Sequence, residues 1–89
     1  MKAVQTRIVN KLGLHARAAT QLVNCASAFA SEVWISYGGR RVNGKSIMGV
    51  LTLAATVGSE VTVEADGPDE AVAVEAVVEL IQNRFNEDE

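Results

Sequence analysis

The sequence has 89 residues, a formal net charge of −3, 48% hydrophobic residues and a single cysteine, Cys25. That length makes one domain with a modest core, because so short a chain buries only about 60–65% of the surface its unfolded form exposes. The acidic balance argues against general nucleic-acid binding, the lone cysteine excludes an internal disulfide or a paired-cysteine zinc site, and no apolar run reaches the ~18 residues that span a bilayer.

No signal-peptide core is visible either, so a cytoplasmic location is the expectation. The charges are unevenly spread. Lys2, Arg7, Lys11, Arg17, Arg40, Arg41 and Lys45 lie in the first half, whereas ten of the eleven acids follow from Glu60 onward. The basic half also carries His15, the only histidine, and suits an anionic substrate or an acidic partner.

In chain order, Ala3–Val9 is rich in β-branched residues and reads as a strand with Val4, Thr6 and Ile8 on one face. Residues 10–14 form a loop that turns on Gly13. Apolar residues then recur in steps of three and four at Ala19, Leu22, Val23, Ala26 and Phe29 or Ala30, which predicts a helix from Ala16 to about Phe29. Gln21, Asn24 and Ser27 fall on its outer side. A second strand spans Glu32–Tyr37, and Gly38-Gly39 supplies a tight turn into a short third strand, Arg40–Asn43.

Ser46 is a suitable N-cap for a short helix from Ile47 to about Leu53, weakened by Gly49. Ile47, Val50, Leu51 and Ala54 fit one face of it and Met48 falls off that face. Glu60–Asp66 alternates as a strand with Val61, Val63 and Ala65 inward. Gly67-Pro68-Asp69-Glu70 is a helix start with proline in the first turn. The last helix runs to about Asn83, burying Ala71, Val74, Val77, Val78 and Ile81, with Phe85 next on that stripe. Residues 86–89 read as a polar, frayed tail. The order β-α-β-β-α-β-α predicts an α+β fold, an antiparallel sheet covered on one face by helices, with Trp34, Thr62 and Glu64 on the open face.

The residues able to carry chemistry are few. His15 falls where a loop becomes a helix, two residues after Gly13 and two before Arg17. A surface or helix-capping histidine is the plain reading. A nucleophilic one is the alternative, because imidazole ordinarily titrates near neutrality and a helix start offers N–H groups and partial positive charge to an anion. The small Ala16, Ala18 and Ala19 leave those N–H groups accessible, and Arg17 can share the same anion. No second histidine, serine–acid pairing or metal cluster accompanies His15, so neither a complete hydrolase site nor a metal or other cofactor is expected. Ser46 can be phosphorylated as well as cap its helix. Met48 suits either a core gap or an exposed protein contact, and Cys25 reads as a small buried residue rather than a reactive thiol.

Leu12-Gly13-Leu14-His15-Ala16-Arg17 and, further on, Gly44-Lys45-Ser46-Ile47-Met48-Gly49-Val50 together resemble the HPr family. These are the phosphocarrier proteins of the bacterial phosphoenolpyruvate-dependent phosphotransferase system (PTS). The resemblance covers essentially the whole chain. It implies an open-faced β-sandwich, a four-stranded antiparallel sheet with three helices on one side. It implies that His15 accepts a phosphoryl group on Nδ1 from enzyme I and passes it to an enzyme IIA protein, as carriage rather than turnover. Arg17 matches the arginine that assists the phosphohistidine. The N–H groups of Ala16, Arg17 and Ala18 are then the phosphate contacts. Ser46 matches a regulatory serine modified by an HPr kinase/phosphorylase. Ile47, Met48 and Leu51 match part of a docking surface, and the chain is expected to be a monomer.

Two departures stand out. Many members have proline where this chain has Ala18, a form also found in members resembling the nitrogen-related regulatory branch. Such a branch implies the second functional reading, a regulatory module whose phosphorylation state is read by partners. Some members carry lysines where this chain has Asn24, Ser27 and Gly49, which thins the basic rim.

Overall fold

A computed structural model describes residues 1–87. It contains β1 (Lys2–Arg7), α1 (Ala16–Ser27), β2 (Glu32–Tyr37), β3 (Arg40–Asn43), α2 (Ile47–Thr52), β4 (Glu60–Asp66) and α3 (Glu70–Gln82), followed by a single turn at Arg84–Asn86. The four strands form one sheet in the order β1-β4-β2-β3, antiparallel throughout. The expected α+β open-faced sandwich is thus present. β2, β3 and β4 occupy the predicted ranges because strict alternation and the Gly38-Gly39 turn leave no other register.

One face of the sheet carries the core. Thr6, Val61, Val63, Ala65, Val33 and Ile35 point into it, and Leu22, Ala26, Val74, Val77 and Ile81 of α1 and α3 close it from above. α3 lies across β1 and β4, and α1 packs on α2 and α3. The other face is open, as expected of Trp34, Thr62 and Glu64. There the Arg41 guanidinium sits 4.0 Å from the Trp34 ring centroid, with its Nε 3.4 Å from Glu64.

Several boundaries differ from expectation. β1 stops at Arg7, although Ile8 stays buried and pairs through its backbone with Ser59 and Gly58. α1 ends at Ser27, where Ala28 and Phe29 switch to tighter three-residue bonds to Cys25 and Ala26. α2 ends at Thr52. Ala54 takes a positive φ of 51° and is exposed, so Leu53, not Ala54, is buried behind Val50. α3 begins at Glu70 with Asp69 as N-cap, so Pro68 precedes the helix. Its buried stripe is Ala73, Val74, Val77 and Ile81, with Val78 half-buried and Ala71 exposed. Ala71 lies about 100° from the centre of that stripe at ~100° per residue.

Asp69 does not bond its own helix by its side chain. Its carboxylate accepts the N–H of Ala30 at 3.0 Å, the N–H of Ser31 at 2.9 Å and the Ser31 hydroxyl. The α1–β2 connection is thereby fastened to the start of α3. The Ser31 hydroxyl, then the Ala30 N–H, hold the Asp69 carboxyl below the ordinary carboxylate range. The Gly67 N–H and the chain's amino terminus lower Glu70 in the same way. A folded-state pKa below the unfolded one contributes stability above the unfolded value and loses it as pH falls through the folded one. Urea denaturation is therefore expected to show stability falling as pH drops below the ordinary carboxylate range. Asp69→Asn should flatten that decline, and an unchanged slope would remove Asp69 from the account.

Candidate functional site

The site begins with the turn that precedes α1. Asn10 is buried, its Nδ2 donates to the Gly13 carbonyl at 2.8 Å, and the Gly13 N–H returns a bond to the Asn10 carbonyl at 3.2 Å. Gly13 has φ +67°, and a Cβ there would lie 2.5 Å from the Ala55 carbonyl oxygen and 2.9 Å from Thr56 Cα. Both contacts are backbone, so only glycine fits. The Leu14 N–H then bonds the same Ala55 carbonyl at 2.9 Å, and the Leu14 side chain enters the core. This turn is pressed onto the segment after α2, which aims His15 at the start of α1.

His15 is the N-cap, with φ −80° and ψ 178°, and its carbonyl accepts the Ala19 N–H at 2.8 Å. Its ring makes no capping bond. The N–H groups of Ala16, Arg17 and Ala18 lie in the first turn, where a helix has donors without intrahelical acceptors. No acidic residue stands in that turn. Arg17 is exposed and has no ion pair among the described residues. The local fold thus places His15 at the N-cap and Arg17 in the first turn of α1, with three N–H groups that lack intrahelical acceptors.

The His15 ring is tied on its far side. Nε2 lies 2.6 Å from Oε2 of Glu87, while Oε1 of Glu87 accepts from Asn10 Nδ2 at 2.8 Å. The His15 side chain is 27% exposed and that of Glu87 12%. Nδ1 has no hydrogen bond among the described residues. Neither Asn10 nor Glu87 was predicted to take part. The frayed tail expected at residues 86–89 is corrected for Asn86 and Glu87, which fold back through bonds to Asn83 and Arg84; residues 88 and 89 lie outside the described residues.

Ser46 caps α2 as predicted, its Oγ accepting the Gly49 N–H at 3.1 Å. It does not join His15. The Leu14–Ala55 bond fixes the end of α2 beside the start of α1, and Lys45 Nζ reaches the Phe29 carbonyl beyond the end of α1 at 2.8 Å. The two helices therefore run oppositely, with Ser46 and His15 at opposite ends of the pair. Ile47 is exposed and Met48 is 72% exposed, which answers the core-gap reading of Met48; Leu51 is half-buried. Ile47 thus leaves the buried face assigned to it. Leu12, 68% exposed beside the Gly13 turn, is a further apolar residue that the sequence reading left unused. Cys25 is partly buried, and burial pushes its thiol pKa up, away from reactivity. Among the described residues no three His, Cys, Asp or Glu side chains gather to hold a metal ion.

The profile described as the PTS HPr component phosphorylation site matches residues 3–83. The chain belongs to the PTS HPr family. The phosphocarrier protein HPr of Cupriavidus necator is 57% identical over 84 residues, 94% of each chain. That of Neisseria meningitidis serogroup A is 52% identical over 92% of each. The HPr-C-His structure from Thermoanaerobacter tengcongensis superposes with a TM-score of 0.95 at 44% identity, covering all of both chains.

Proposed function

We propose that this HPr-family protein is a phosphocarrier of the phosphoenolpyruvate-dependent phosphotransferase system. His15 takes a phosphoryl group from phosphorylated enzyme I and passes it to an enzyme IIA protein. The observation that carries this is a histidine at the N-cap of α1 with Nε2 bonded and, two residues on, Arg17, where among the described residues neither Nδ1 nor Arg17 has a partner. The Nδ1 lone pair forms the N–P bond as the bond between phosphorus and its donor atom breaks, and that electron pair stays with the donor. The N–H groups of Ala16, Arg17 and Ala18 and the Arg17 guanidinium donate hydrogen bonds to the phosphoryl oxygens. One exposed arginine holds the group without trapping it, which suits onward transfer and a carrier that is not itself an enzyme.

Exposed Ile47 and Met48, with half-buried Leu51, supply an apolar surface for the partner proteins. No helix among the described residues is long and apolar enough to cross a membrane; a monomeric carrier working in the cytoplasm is part of the same proposal. The regulatory reading is favoured by one observation of its own: Ser46 caps a separate helix away from His15, so a kinase can reach it while His15 is occupied. Phosphate there meets a helix N-terminus that accommodates its charge.

Incubation with phosphoenolpyruvate and enzyme I is expected to label the protein with acid-labile, base-stable phosphate. Arg17→Ala should slow the labelling by about 10–100-fold, since a hydrogen bond to a charged group contributes about 1.5–3 kcal/mol, and leave the melting temperature nearly unchanged. Acid-stable label alone, or no label, would overturn the proposal.

A further inference from the structure

We propose that Glu87 is a positioning residue for His15: it keeps the ring proton on Nε2, so that Nδ1 presents a lone pair. The inference rests on the reading of His15 as the phosphoryl acceptor. It concerns a residue that lies beyond the stretch matched by the family profile.

The geometry fixes every donor and acceptor in the chain of bonds. The Gly13 carbonyl can only accept, so the group of Asn10 that faces it at 2.8 Å is the amide Nδ2. The second hydrogen of that same Nδ2 goes to Glu87 Oε1, also at 2.8 Å. A carboxylate can only accept, so the 2.6 Å contact between Glu87 Oε2 and His15 Nε2 requires Nε2 to be the donor. Which imidazole nitrogen carries the proton is set by the bond the other atom of the ring system is obliged to make. Here the neutral ring has its proton on Nε2 and its lone pair on Nδ1. When Nδ1 forms the N–P bond the proton stays on Nε2, the ring becomes cationic, and the carboxylate faces that charge. No co-reactant is needed beyond the phosphoryl donor.

The backbone that delivers Glu87 is unusual. Arg84, Phe85 and Asn86 have φ values of 58°, 54° and 64°, three left-handed residues in succession without a glycine. Phe85 is buried in the core and anchors this turn, which reverses the chain over the Asn10–Leu14 loop. The reversal is therefore a built feature of the fold, and its product is the Glu87 contact.

Two variants of the full chain separate positioning from simple loss of charge. Glu87→Ala removes the acceptor and leaves the ring free to adopt either tautomer. Glu87→Gln keeps the shape, but its oxygen must face Asn10 Nδ2, because two amide NH₂ groups cannot face each other. Its own NH₂ then faces His15 Nε2 and makes that nitrogen the acceptor, which moves the proton to Nδ1. The isosteric change is thus expected to be the more harmful one. Loss of charge alone would affect both variants equally, and loss of packing would affect Ala more.

The measurement is a ¹⁵N–¹H correlation spectrum of the His15 ring at a pH where it is neutral, together with the rate of labelling by phosphoenolpyruvate and enzyme I. The wild-type chain should show the Nε2–H form, Glu87→Ala a mixture, and Glu87→Gln predominantly Nδ1–H. Transfer should fall several-fold in Glu87→Ala and about 10–100-fold in Glu87→Gln, by analogy with the loss when the outer hydrogen-bond partner of a metal-bound histidine is changed. One tautomer common to all three proteins, or faster transfer in Gln than in Ala, would overturn the proposal. The spectra need no phosphate. A wild-type chain that fails to label therefore refutes the carrier reading alone, and the tautomers still decide the role of Glu87.

Discussion

His15→Ala should reduce acid-labile phosphorylation by phosphoenolpyruvate and enzyme I to background while leaving a folded protein. The loss is complete because His15 is the only histidine in the sequence. The fold is expected to survive because the His15 side chain makes no capping bond, so alanine removes none. What does disappear is the bond to Glu87, whose carboxylate keeps Asn10 and gains water in the space vacated by the ring. One such hydrogen bond to a charged group contributes about 1.5–3 kcal/mol, part of which the water restores. Ser46 is untouched at the other end of the α1–α2 pair, so a serine kinase acting on it should still add acid-stable phosphate. The two modifications are thereby separable in one chain by lability alone. Acid-labile label of normal extent in His15→Ala would move the acceptor elsewhere.

Much of the fold is legible because it rests on local rules. The alternation in Glu60–Asp66 and the Gly38-Gly39 pair specify strands whose first and last residues in the structure are those expected. Helix termini are less legible, since they depend on where capping side chains go. Asp69 illustrates this: it reads as an acid for the first turn of α3, but its carboxylate leaves to hold Ala30 and Ser31. The sequence also carries the half of the site that lies within six consecutive residues, from Leu12 to Arg17. The Gly13 requirement is visible in outline there, although the Ala55 carbonyl that enforces it is 42 residues further along the chain, a long-range contact no motif contains. Glu87 was illegible for a physical reason. It sits in a terminal run of acids, which composition reads as solvated. The turn that carries it back needs left-handed backbone at Arg84 and Phe85, residue types with no preference for that region. Asn86 alone has the chemistry of such a turn.

Phe85→Ala tests whether that turn is held by the core. Phe85 is 2% exposed and packs where the turn meets α1 and α3. Three left-handed residues each cost about 1–2 kcal/mol relative to right-handed backbone, so burial of the phenyl ring has to offset the strain. Truncating a buried phenylalanine costs about 3–5 kcal/mol. A domain of this length has a total stability of about 4–13 kcal/mol at 0.05–0.15 kcal/mol per residue, so the loss is a large share of the whole. With about 4–8 °C of melting temperature per kcal/mol in small domains, a drop of about 12–40 °C is expected. Because the strain is released at the same time, the turn should come free before the sheet does. Glu87 then leaves His15, and the ring of folded Phe85→Ala should show the mixed tautomers of Glu87→Ala rather than the Nε2–H form. Phe85→Leu, which refills most of the space, should restore both the stability and the Nε2–H signature. A loss below about 1 kcal/mol by urea denaturation, far under the cavity range, or an unchanged ring spectrum, would mean that the Arg84–Asn86 turn is held by something other than Phe85.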